Sequence, residues 1–287
     1  MTGEGWRTST LSFCMTISSL KGFAVYSIAL VTLKGVYRDR VFRGIFMAAL
    51  LFVFIPAVAS LSMRQVTELS ITMSLSLASF VLLLLSVFLG GASLWKDMER
   101  RYTFSVLGLP LKRSDYILGK FCGIALSLFL AALVLWISTV IVVYLASGIY
   151  PSPRPVVWQY LFLSVFYDAL KYVLLIAVAF LFSTVSTSFF LPIFGTIATF
   201  LVGSATQEAY DFVHTPLAKT ISPFVKGVAS ALYYIIPNFT AFDLKLSAIY
   251  GVKVSVSGLL LTFGYFVIYT AIVLLLATVT FSRRELT

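Results

Sequence analysis

Charge is scarce in this sequence: Asp, Glu, Lys and Arg make up 11% of its 287 residues, against about a quarter in a soluble domain. So thin a charged shell does not keep a chain of that length dispersed in water, which argues against a soluble enzyme or carrier. Cysteine is limited to Cys14 and Cys122, too few for a disulfide framework or a cysteine metal cluster. Histidine occurs once, at His214. No HExxH or CxxC pattern is present, which removes the usual zinc and dithiol chemistries. No solenoid-length repeat is visible. A clean signal peptide is also missing, because Arg7 is followed only by weakly apolar residues without a small-residue cleavage site. Residues 1–19 read as a flexible tail.

What is present is apolar. Hydrophobic residues account for 60% of the chain and the mean hydropathy is +1.01. Apolar runs of about 18 or more residues read as transmembrane helices. They predict an all-α polytopic membrane protein with six spans, at residues 44–61, 71–95, 121–146, 160–182, 189–206 and 257–281. The first and fifth are short for a hydrocarbon core of about 30 Å. Pro56 and Pro192 fall inside those two, where neighbouring helices would re-satisfy the freed carbonyls. Between the fifth and sixth spans lies the segment 207–256. Its apolar part, 221–236, contains Lys226 and is too short to cross and return. Short re-entrant or interfacial helices ending at Pro237 are expected there.

The few charges are placed unevenly. Of the twenty-one Lys and Arg, fourteen lie in the N-terminal region, the central loop and the C-terminus, six lie on the opposite side, and Lys171 lies within a span. By the positive-inside rule, both termini and the central loop are cytoplasmic and residues 207–256 are external. Both cysteines then face a reducing compartment. The net charge of +10 flanks spans rather than forming one soluble face, so it reads as topology and anionic-lipid contact, not nucleic-acid binding. Residues 20–43 carry an apolar stripe of Phe23, Tyr26, Leu30, Leu33, Tyr37 and Val41, flanked by Lys21, Lys34, Arg38 and Arg40. That pattern suits a helix lying in the interface with its basic side chains reaching the headgroups.

The most charged stretch, GGASLWKDMERRYTFSVLGLPLKRSDYILGKFCG at residues 90–123, sits between two spans. Trp95, Met98, Tyr102, Val106 and Leu109 recur at helical spacing, and Pro110 disfavours helix at Leu109. Ser114 is a candidate N-cap, with Asp115 in the first turn of the helix that re-enters the membrane. An amphipathic helix, a proline corner and a new span follow. "KDMERRY" with "LGLPLKRSDYILGK", preceded by "IALVTLKGVYRDRVF" and followed by "YYIIPNFTAFDLK" in the same order, resembles the permease subunits of type-2 ABC transporters. The nearest likeness is to the branch associated with maturation of multi-copper enzymes such as nitrous oxide reductase.

The resemblance implies a transporter subunit of exporter type that is not itself an enzyme. It would work by alternating access with a second permease copy, as a homo- or heterodimer, in the inner (plasma) membrane. ATP and magnesium would be held by separate ATPase chains. Residues 95–109 would be the coupling helix and 20–43 the connecting helix. The ATPase-coupling residues would be Trp95, Met98, Glu99, Arg100, Arg101 and Tyr102, with Arg38, Asp39 and Arg40. The residues themselves leave a solvated-face reading of Glu99, Arg100 and Arg101 open. "SDYILGKF" is no phosphate loop, because Ser114 replaces the first glycine and Phe121 stands where a magnesium-binding Ser or Thr belongs.

Within the spans, Asp168 and Lys171 form the clear ionisable pair at membrane depth. Spaced i, i+3, they can neutralise one another or contact substrate. Gly119 and Gly123 form a small-xxx-small pair that permits close helix approach. His214 reads as a surface histidine. Two other functions fit the same architecture: force transmission to an external accessory protein through residues 207–256, and a membrane scaffold without an ATPase.

Overall fold

A computed structural model describes residues 25–48, 54–55, 58, 65–99, 113–149, 155–215 and 222–283. Every regular element among these residues is helical. Helix α1 covers residues 25–38. It is followed by α2 (Arg40–Ala48), α3 (Val66–Glu99), α4 (Arg113–Ile149), α5 (Trp158–Val185) and α6 (Phe190–His214). Beyond them come α7 (Pro223–Ile235), a 3-10 turn at Thr240–Phe242, α8 (Lys245–Tyr250) and α9 (Val256–Arg283). Five of these, α3, α4, α5, α6 and α9, are long and apolar enough to cross a membrane. The expected span at 44–61 falls largely outside the described residues.

α5 is the centre of the bundle. In its most apolar stretch 83% of residues are buried, against 22% in α6 and 17% in α9. The reason is legible in the side chains: α5 is apolar on nearly every face and meets small residues on its neighbours. A Cβ on Gly90 of α3 would stand 3.0 Å from the Ala179 Cβ, so the two backbones approach closely there. Ser183 Oγ donates to the Gly91 carbonyl at 3.2 Å, and Ser79 Oγ and Tyr172 OH are hydrogen-bonded at 2.7 Å. These contacts set α3 and α5 in parallel register. α6 and α9, by contrast, turn most of their apolar surface outward.

Four features depart from the sequence reading. The connecting helix is two helices, not one, broken at Asp39. The Asp39 N–H closes α1 on the Val36 carbonyl at 3.0 Å, and the Asp39 carbonyl accepts from the Arg43 N–H at 3.2 Å to open α2. Along α1, Tyr26 of the apolar stripe is exposed and Val36 is buried. α1 seats on the glycine pair of α4. A Cβ on Gly123 would lie 2.6 Å from the Ala29 carbonyl oxygen, and one on Gly119 would lie 2.9 Å from the Ile28 Cβ. The small residues therefore pack α4 against α1.

The fifth apolar helix is also longer than expected. α6 runs to His214 because Gln207 and Asp211, one turn apart and bonded at 2.9 Å, carry the helix past the apolar run. Pro192 is its third residue, so the N–H it lacks is one that no intrahelical carbonyl would have met. No neighbouring helix is needed to repair a break. Finally, Ser114 already lies inside α4, and its hydroxyl donates to the Asp115 carboxylate at 3.3 Å instead of capping the helix.

At the end of the bundle opposite the last turn of α3 and the first turn of α4, the segment after α7 folds back onto the spans. Gly203 admits it: a Cβ there would be 2.4 Å from the Pro237 carbonyl oxygen. The Asn238 N–H donates to Tyr265 OH at 2.9 Å, its side-chain amide donates to Gln207 at 2.7 Å, and Phe239 and Phe242 are buried. α7 itself, which ends just before Pro237, buries none of its residues.

Candidate functional site

The last turn of α3 and the first turns of α4 bracket residues 100–112, and their polar side chains converge. Tyr116 and Lys120, spaced i, i+4, lie on one face of α4. Across from them Asp97 accepts from Tyr116 OH at 2.6 Å and from Lys120 Nζ, both at the same carboxylate oxygen. Lys120 Nζ also donates to the Ser93 carbonyl at 2.7 Å and lies 5.9 Å from the centre of the Tyr116 ring. The lysine is 3% exposed. A buried ammonium is tolerated only where a carboxylate and further acceptors replace its hydration, and this site supplies both.

Four further contacts fasten the same end. Lys96 pairs with Asp39 at 3.6 Å, which ties α3 to the α1–α2 break. The Arg113 guanidinium donates to the Ser282 carbonyl at 3.1 Å, and Tyr116 stacks with Phe281, tying α4 to the last turns of α9. Trp95 meets Phe189 edge-on at 5.1 Å, in the short connection between α5 and α6. The base of the segment 100–112 is therefore joined to α1, α4, α6 and α9 at once.

The residues singled out in the sequence distribute unevenly over this arrangement. Trp95 and Asp39 are part of it. Arg38 and Arg40 are exposed on α1 and α2. Met98 and Glu99 close α3, but their side chains, like the whole of Arg100, Arg101 and Tyr102, lie outside the described residues. Asp97, Tyr116 and Lys120, which form the centre, were not singled out. Their only sequence signal is a tyrosine and a lysine one turn apart after a proline corner, with a carboxylate before it. That signal means something only once the two helices are known to lie side by side.

The second polar cluster is in the bundle interior. Lys171 Nζ donates to Asp168 Oδ1 at 2.5 Å, with side chains 7% and 5% exposed, and stands 4.7 Å over the Tyr172 ring. Lys171 does not snorkel to an interface. The Tyr172 hydroxyl carries the bond to Ser79 on α3, so the pair is linked to an interhelical hydrogen bond. His214 sits at the surface with Nδ1 at 2.8 Å from the Tyr210 carbonyl. Among the described residues no group of three or more His, Cys, Asp or Glu is placed to hold a metal ion. No protein-family model and no curated protein matches this chain.

Proposed function

We propose that this chain is the membrane-spanning permease subunit of an ATP-driven transporter of the type-2 ABC kind. In this reading it has six spans and two cytoplasmic termini, lies in the inner (plasma) membrane, and pairs with a second permease copy and separate ATPase chains. The observation that carries the reading is the joined base of residues 100–112. A pull on that segment acts first on the Asp97–Lys120–Tyr116 contact. Because this links α3 to α4, on whose Gly119–Gly123 pair α1 is seated, the load reaches rigid helices and not a loose loop. Movement of ATPase chains against the segment would thereby tilt the α3–α4 pair against α5, which is how access to a pathway between two permease copies would alternate. Glu99, Arg100 and Arg101 supply the charged edge for docking, and a desolvated charge pair at such an interface costs about 2–5 kcal/mol when one side is truncated.

The test is purification of the tagged chain from its native membrane with ATP hydrolysis as the readout. ATPase activity should co-purify and should fall at least about tenfold with Glu99→Ala, with insertion and yield unchanged. A cysteine placed at Arg101 should be shielded from an impermeant thiol reagent in intact cells. Co-purification of no ATPase activity, or labelling of position 101 from outside, refutes the reading.

A further inference from the structure

A cleft of about 370 Å³ opens between α1 and α3 beside the joined end. Val31 and Val36 of α1 line one wall, and Phe88 and Leu89 of α3 line the other. Its polar end is made by Asp39, Lys96, Asp97 and Lys120. One end is therefore apolar and one charged, as an amphiphile requires. The apolar part is continuous with the outer surface of the bundle, since Val31 is 72% and Phe88 37% exposed.

The charges decide which amphiphile fits. Within the cleft they balance, with Lys120 against Asp97 and Lys96 against Asp39. These two pairs differ in kind. Lys120 is buried and fully engaged, whereas Lys96 is 40% exposed and its pair is long, at 3.6 Å. An exposed pair of that sort is weak and easily exchanged for another anion. The surplus comes from Lys34 and Arg38, both exposed and in no ion pair among the described residues. They stand one turn apart on α1, and Arg38 lies beside cleft positions 31 and 35 on the helix. The rim is thus cationic over an apolar wall, and basic pockets of this build between membrane helices take anionic lipid headgroups.

We propose that the α1–α3 cleft binds one anionic phospholipid. Its headgroup phosphate would sit at Lys96 and Arg38, with Lys34 behind, and an acyl chain would run along Val31, Phe88 and Leu89. The occupant bridges α1 to α3 and so holds the connecting helix against the bundle. This assignment gives Arg38 to lipid instead of to a protein partner, and it stands whether or not the chain transports anything.

The test uses the full chain, purified and delipidated in a neutral detergent, with lipid adducts counted by native mass spectrometry. Dioleoyl phosphatidylglycerol should bind at one saturable site at least about tenfold tighter than dioleoyl phosphatidylcholine. Arg38→Gln and Lys96→Gln should each weaken phosphatidylglycerol about fivefold, and together about thirtyfold, without changing phosphatidylcholine. Val31→Trp, at a position exposed enough to leave folding intact, should block the apolar wall and reduce occupancy by both lipids. Equal binding of the two lipids overturns the proposal, as does wild-type phosphatidylglycerol binding by the double variant. Competition by free glycerol phosphate as effective as that of the whole lipid would also overturn it, because the site would then be for the anion alone.

Discussion

Asp97→Asn isolates the charge at the joined end. Asparagine keeps an oxygen for Tyr116 OH and for Lys120 Nζ, so the change removes the carboxylate's charge while preserving its shape. What is left is an ammonium 3% exposed whose acceptors, the amide oxygen at position 97 and the Ser93 carbonyl, are both neutral. Breaking a fully buried pair from one side costs about 3–5 kcal/mol. Asp97 is 33% exposed, so water screens part of the interaction. The expected cost therefore falls at or below the bottom of that range, about 2–3 kcal/mol, which lowers Tm by roughly 5–10 °C for a chain of this size. Adding Lys120→Met removes the stranded charge and should restore at least half of the loss, a coupling of about 1–3 kcal/mol. The assay is thermal unfolding of the detergent-purified protein, with circular dichroism as the probe. If Asp97→Asn unfolds within about 1 °C of the parent, or if the double variant falls by the sum of the two single losses, the contact does not hold this end together.

The interior pair should behave alike at a different place. Asp168→Asn strands Lys171, and the same unfolding assay should register a loss of about 3–5 kcal/mol that Asp168→Asn with Lys171→Met largely recovers; normal stability with lost transport would make Asp168 a substrate contact. The seat of α1 on α4 predicts opposite signs at two glycines of one helix. Gly123→Ala puts a Cβ 2.6 Å from the Ala29 carbonyl oxygen and should destabilise by about 1–3 kcal/mol and speed proteolysis within α1. Gly148→Ala meets nothing within 4 Å and should be neutral or stabilise by about 0.4–1 kcal/mol.

How far such residues were legible differs by type. The Gly119–Gly123 pair was visible as a close-packing signal, but its partner was not, because small residues announce an approach without saying which helix makes it. Asp168 and Lys171 stood out because a charge is rare in an apolar run, and their i, i+3 spacing already allowed the bond that is found. Asp97 and Lys120 looked like two of many charges flanking a loop. Nothing in their local pattern separated a buried ammonium from a solvated one, since burial there comes from α1, α4 and α9 meeting at one end.

The amino-acid sequence by itself determined the class of the molecule and the order of its parts. Sixty per cent apolar residues in long runs leave helices as the elements that satisfy their own backbones in a membrane. The charged breaks between those runs mark where the chain turns. Only the tertiary structure decided which helix became the centre. α3, α4, α5 and α9 are all apolar by composition, yet α5 is enclosed while α9 is mostly exposed. Hydropathy cannot rank them, because lipid and protein interior are equally apolar. What separates them is shape: Gly90 and Gly91 of α3 admit α5 closely, Ser79 and Ser183 bond across the seam, and Gly119 and Gly123 draw α1 onto α4. These are relations between distant positions, and they exist only once the chain is folded.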